Sequence, residues 1–188
     1  MKRTSSSVLY LLVYVDDILL IGSDHCVAEA FITSLSCHFP VKDLGQLSYF
    51  LGIECHFSKE GLFLSQKKYT LDLLQRTHML QCNSESTPMS SKTKLSAVDG
   101  SPLSNGEYFR SIVGSLQYLS FTRPDISYAV NKVCQYLHNP LDSHWKAVKR
   151  ILRYLSATTD YAMVLRPGSS SSLVAYTDFE SPEEELLA

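Results

Sequence analysis

Two adjacent carboxylates, Asp16 and Asp17, stand inside an otherwise apolar run from Val8 to Ile21. Burying two anions in such surroundings is costly unless a cation meets them. A divalent metal is the natural cation. Hard ions such as Mg²⁺ take carboxylate oxygens and keep several waters. Two of them, about 3.5–4 Å apart, bind both the attacking and the leaving oxygen of an in-line phosphoryl displacement. Tyr14-Val15-Asp16-Asp17 is therefore a candidate for phosphoryl transfer. Two Asp on one turn hold one side of such a pair, and a third carboxylate from a neighbouring strand completes it. The residues alone also fit a plainer reading: two polar side chains at the exposed tip of a hairpin.

The run that carries the pair reads as a β-hairpin. Val8–Val13 and Ile18–Ile21 are aliphatic or aromatic throughout, the pattern of short strands buried on both faces. Two Asp at the centre and a short length argue against a membrane span. The turn falls at Val15-Asp16. Tight hairpin loops favour Gly, Asn or Asp where φ is positive, and Val is a poor residue there. A turn built from the wrong residue marks a strained functional site.

Further elements follow from spacing. Ser23 or Asp24 caps a helix through about His38, with Val27, Phe31, Leu35 and Phe39 as an i, i+4 stripe expected to pack under the hairpin sheet. Pro40 stops it. A second hairpin is expected from strands near 49–57 and 62–64, with the turn at Ser58-Lys59-Glu60-Gly61. A helix begins near Gln66 and ends around Met79. The stretch 83–105, rich in Ser, Thr, Gly and Pro, reads as a linker and domain boundary. Three amphipathic helices then form a small bundle. Phe109, Ile112, Val113, Leu116 and Leu119 line the first; Ile126, Ala129, Val130, Val133 and Leu137 line the second, opened by Pro124; Trp145, Val148, Ile151, Leu152 and Leu155 line the third. Lys146, Lys149, Arg150 and Arg153 fall on the other face of that third helix. Such a stripe contacts nucleic-acid phosphates or is simply solvated. Segments 161–165 and 173–177 read as two short strands.

At 188 residues, with 45% hydrophobic and 19% charged residues, the chain has the makings of a folded protein with one sizeable core. Its net charge of −2 is not that of a general nucleic-acid binder. The sum hides an asymmetry. Outside Glu180, Glu183, Glu184 and Glu185, 17 basic residues face 15 acidic ones, a net +2. The tail from 179 to 188 reads as a disordered, foreign end. The five cysteines form no Cys-x-x-Cys pair and read as buried reduced thiols of an intracellular protein. His78 and Cys82 share i, i+4 spacing, too few ligands for zinc. No signal-peptide or lipidation pattern is seen, and nothing selects among nucleus, cytoplasm and mitochondrion.

Leu12-Val13-Tyr14-Val15-Asp16-Asp17-Ile18-Leu19-Leu20 resembles the catalytic hairpin of reverse transcriptases in the form found in copia-type retrotransposon polyproteins. Lys42–Glu54, Leu64–Tyr69, Tyr108–Leu119, Thr122–Ile126 and His144–Leu155 resemble further blocks of that family, in its order. The likeness covers roughly 5 to 178. It implies an α+β chain: a partial polymerase palm of β-hairpins plus helix over 1–82, a linker over 83–105, a three-helix thumb-like bundle over 106–160, and two short strands over 161–178 leading into a truncated RNase H-like domain.

The resemblance also implies roles. Asp16 and Asp17 are expected to be catalytic, holding Mg²⁺ or Mn²⁺, with Tyr14 and Val15 on the primer and nucleotide side. Leu51 and Gly52 fall in the primer-grip-like hairpin. Lys146, Lys149, Arg150 and Arg153 are the candidate duplex contacts, on helix 142–156. Asp178 matches the first catalytic Asp of RNase H, although Phe179 and Glu180 depart from that family's continuation. The parent reaction is RNA-directed DNA synthesis, with a template–primer duplex and deoxynucleotides as partners and no membrane. Fingers, the first half of the palm and one further catalytic Asp precede this point in the family. The expectation for this chain is an inactive fragment, and the alternative is a non-catalytic nucleic-acid-binding remnant.

Overall fold

The computed structural model describes residues 2–3, 7–90, 94–166 and 168. The expected strand at 173–177, Asp178 and the acidic tail lie outside these residues. The chain is a mixed α+β protein, with two small antiparallel sheets and five α-helices among the described residues.

The first sheet has the order β1 (Lys2–Arg3), β2 (Val8–Tyr14), β3 (Asp17–Gly22). Tyr14 pairs with Asp17, so Val15-Asp16 is a two-residue turn, as the spacing requires. Helix α1 (His25–His38) follows, with Asp24 as its cap: the Cys26 N–H donates to Asp24 Oδ1 at 2.9 Å. It packs against β3. Burial differs from the expectation. Of the two long strands only Leu9 is buried, while Leu11, Leu12, Val13, Ile18 and Ile21 are exposed. No residue of α1 is buried either, and Val27 and Phe39 face solvent. The apolar run that suits a strand covered on both faces is left largely open, with Leu9 buried and Leu19 and Leu20 half-buried.

The second sheet has the order β4 (Tyr49–Phe50), β5 (Ile53–Ser58), β6 (Gly61–Ser65), β7 (Met163–Leu165). Two expectations change here. The strand expected over 49–57 is broken by a tight turn at Leu51-Gly52. And β7 pairs with β6, Leu62 opposite Leu165 and Leu64 opposite Met163, so it completes this sheet rather than opening an RNase H sheet. Gly61 makes that pairing possible, because a Cβ there would collide with the Leu165 carbonyl.

Helix α2 (Lys67–Arg76) is shorter than expected. Its Leu73 and Leu74 are buried in one cluster with the C-terminal helices α3 (Gly106–Leu119), α4 (Ser127–Cys134) and α5 (Asp142–Ala157). Phe109, Leu116, Val133, Ile151, Leu152 and Leu155 are its fully buried centre. Each such side chain contributes roughly 1.5–3 kcal/mol, so this cluster, not the hairpins, supplies most of the stability. Pro124 opens a 3-10 turn (Pro124–Ile126) ahead of α4, and Leu137 falls beyond the helix, only partly buried.

The segment expected as a free linker is strapped onto these helices. Leu95 and Leu103 pack on the core. The Tyr136 hydroxyl donates to the Leu95 carbonyl at 3.0 Å, and the Ser101 N–H donates to Asp142 Oδ1 at 3.0 Å. His144, fully buried, joins the strap to α5. Its Nδ1 accepts from the Leu141 N–H at 2.9 Å, Nε2 lies 3.0 Å from the Ser96 carbonyl, and Tyr136 stacks on the ring. Contacts at Leu95, Ser96, Ser101 and Leu103 hold these described parts of the segment against the helices.

Candidate functional site

Asp16 and Asp17 sit at the exposed tip of the β2–β3 hairpin, one in the turn and one opening β3. Val15 has φ 50. A branched side chain in the left-handed region costs roughly 1–2 kcal/mol, so the turn is strained as its sequence suggests. Neither carboxylate forms an ion pair among the described residues. The pair thus offers hard oxygen donors on an open face, which fits a divalent ion. Among the described residues no group of three or more His, Cys, Asp or Glu converges here or elsewhere.

Leu51 (φ 48) and Gly52 (φ 78) form a second strained turn. The Tyr118 hydroxyl, from α3, donates to the Leu51 carbonyl. A Cβ on Gly52 would stand 2.8 Å from the same hydroxyl oxygen. Burial raises the Tyr118 phenol above its ordinary value, and the nearby phenols of Tyr69, Tyr49 and Tyr14 add to the rise. Gln66, buried, accepts from the Thr122 hydroxyl at 2.8 Å through Oε1. Sequence reasoning passed over Tyr118, Gln66 and Thr122. The only signal was that each lies in a block shared with the family.

Arg123 was missed in the same way. At 3% exposure it donates to Asp125 (2.7 Å), to the Thr158 carbonyl (2.8 Å) and to the Thr158 hydroxyl (2.7 Å), and its guanidinium lies 5.2 Å from the Tyr161 ring centroid. The Tyr154 hydroxyl also donates to Asp125, at 2.7 Å. Burial pushes the Asp125 carboxyl up, but the hydrogen bonds from Arg123 and Tyr154, with the guanidinium charge, prevail and hold it below the ordinary range. This network ties the α3–α4 connection to the end of α5 and to the approach to β7.

The four basic residues of α5 do share a face, but not all are free. Lys146 pairs with Asp142 at 3.2 Å, and Arg150 pairs with Glu85 at 3.0 Å. The Lys149 ammonium lies 5.8 Å from the Trp145 ring centroid. Lys149 and Arg153 have no carboxylate partner among the described residues. The five cysteines are free thiols, and burial pushes Cys55 and Cys134 up, away from the reactive thiolate. No helix of the described residues is long and apolar enough to cross a membrane.

Residues 1–91 match the family described as "Reverse transcriptase (RNA-dependent DNA polymerase)". The chain is 51% identical over 172 residues to the retrovirus-related Pol polyprotein from transposon RE2 of Arabidopsis thaliana, across 92% of this chain and 12% of that protein. It is 45% identical over 170 residues to an uncharacterized mitochondrial protein of Arabidopsis thaliana, across 90% of this chain and 70% of that one. The Pol polyprotein from transposon TNT 1-94 of Nicotiana tabacum is 38% identical over 187 residues, 94% of this chain and 14% of the relative. No solved structure matches. The chain belongs to the reverse transcriptase family of copia-type Pol polyproteins. It spans 12% of the length of the RE2 and RE1 polyproteins.

Proposed function

We propose that this chain carries part of a reverse transcriptase active site, and that templated deoxynucleotide addition needs a further carboxylate from another polyprotein segment. The observation that carries the reading is the strained two-residue turn that presents Asp16 and Asp17 side by side on an open face. Asp16 and Asp17 hold the divalent ion, Mg²⁺ or Mn²⁺, which when bound stabilises charge on the transferring phosphoryl group. Tyr14 and Val15 line the primer and nucleotide side. Leu51 and Gly52, fixed from α3 by Tyr118, position the primer end. Catalysis of this type is mostly positioning and charge stabilisation, so two carboxylates without the third leave the isolated chain inactive.

Primer extension on a template–primer duplex tests this. The purified chain alone should give no product above an Asp16→Asn control. Mixed with the upstream segment of a related Pol polyprotein, it should extend the primer, and Asp16→Asn or Asp17→Asn should reduce that activity by more than about a hundredfold. Extension by the mixture that survives both substitutions would remove the pair from the chemistry. A second reading, nucleic-acid binding without catalysis, is favoured by one feature: Lys149 and Arg153, on the face of α5 away from the core, have no carboxylate partner among the described residues.

A further inference from the structure

We propose that Glu85 occupies, in the free chain, a phosphate seat centred on Arg150, and that a nucleic-acid phosphodiester replaces it on binding. The inference rests on the reading that the basic face of α5 binds nucleic acid, and it adds two residues from the strap, Glu85 and Thr87. Arg150 Nη2 meets Glu85 Oε2 at 3.0 Å and donates to Thr87 Oγ1, also at 3.0 Å. Its Nε is closed off from solvent and has no hydrogen-bond partner among the described residues. A guanidinium edge made of Nε and Nη2 is built for two oxygens of one anion. Glu85 engages only Nη2, so the seat is occupied and incompletely satisfied.

A phosphodiester suits it better. One of its oxygens meets Nε and another meets Nη2. The Thr87 hydroxyl, which accepts from Arg150, keeps its own hydrogen to donate to the same phosphate. Lys149 and Arg153 flank the seat on α5 without carboxylate partners among the described residues, whereas Lys146 is held by Asp142. The strap keeps Glu85 in place: the Glu85 N–H donates to the Arg153 carbonyl at 3.4 Å, and Cys82 Sγ lies 3.5 Å from Ser156 Oγ. Glu85 and Arg150 retain 31% and 29% side-chain exposure. Ion pairs this open add little to stability, so exchange for a phosphate is not opposed by folding.

The experiment is fluorescence anisotropy of a labelled RNA–DNA hybrid duplex across a NaCl series, with the full chain, Glu85→Gln, Arg150→Gln and the double variant. Glu85→Gln should bind about fivefold tighter at fixed salt, the scale of one partly exposed ion pair removed. Its affinity should fall more steeply with salt, by about one phosphate contact. The gain should vanish in the double variant. A merely structural role for Glu85 predicts the opposite sign, since damage to the strap would weaken binding. Unchanged or weaker binding by Glu85→Gln overturns the seat. If the chain still binds and Lys149→Ala/Arg153→Ala abolishes that binding, the basic-face reading stands without it. No salt-dependent binding by the chain or by Glu85→Gln overturns both.

Discussion

Tyr118 and Arg123 carry structural work that no motif announces, and each makes a prediction. The Tyr118 hydroxyl both bonds the Leu51 carbonyl and fills the space where a Gly52 side chain would go. Gly52→Ala should therefore destabilise by more than about 1 kcal/mol, through its positive φ and that collision. Gly52→Ala in a Tyr118→Phe background should cost less, because the oxygen is gone; urea unfolding of the four chains measures the coupling. Simple additivity would mean that the turn and the tyrosine are independent. Asp125 predicts a pH dependence. Its carboxyl is held below the ordinary value of about 3.9, so its contribution is in place above about pH 4 and is lost as pH falls through the lowered folded-state value. Asp125→Asn should lower stability near neutral pH by about 2 kcal/mol, since Arg123 is left almost buried and unpaired while Asp125 itself is about one-third exposed. It should also flatten the acid limb of the stability profile. An unchanged limb, read by thermal melts from pH 3 to 7, would place the acid sensitivity elsewhere. The Asp pair and the strained Val15 turn were legible because residue type and backbone demand conflict openly. Arg123 was not, because Tyr154, Thr158 and Tyr161, some thirty residues further along the chain, enclose it.

At the scale of elements, the two hairpins and the helices follow from periodicity and caps, while their partners do not. The pairing of β7 with β6 joins residues about a hundred positions apart, and three residues carry too little pattern to foretell it. The strap fails for a similar reason: its fixed course comes from His144, Tyr136 and Asp142 on other elements. The β2–β3 hairpin shows the reverse problem. Its residues ask for cover that the described elements do not supply, and β3 stands at a sheet edge with Ile18 and Ile21 exposed. Exposed apolar edge strands associate. The chain should self-associate with rising concentration, and Ile18→Lys with Ile21→Lys should suppress it in sedimentation velocity. A concentration-independent monomer with the native residues would show that this surface needs no cover.

At the scale of the whole molecule, the fold joins a well-packed helical core to a thinly covered hairpin unit, and the chemistry sits on the thin part. Sequence reading recovered the family and the α+β class because six blocks recur in order. Leu73 and Leu74 of α2, which precede the expected linker, are buried with helices far downstream, a pairing no local pattern announces. The central claim is that Asp16 and Asp17 form one side of a metal site, open until another segment closes it. The most direct measurement is a Mn²⁺ titration of the chain followed by electron paramagnetic resonance. The account predicts one weak site, with a Kd of roughly a millimolar as expected for few, unsupported carboxylates, and its loss in Asp16→Asn/Asp17→Asn. Binding that persists in the double variant, or no binding in the chain with both Asp present, would contradict it.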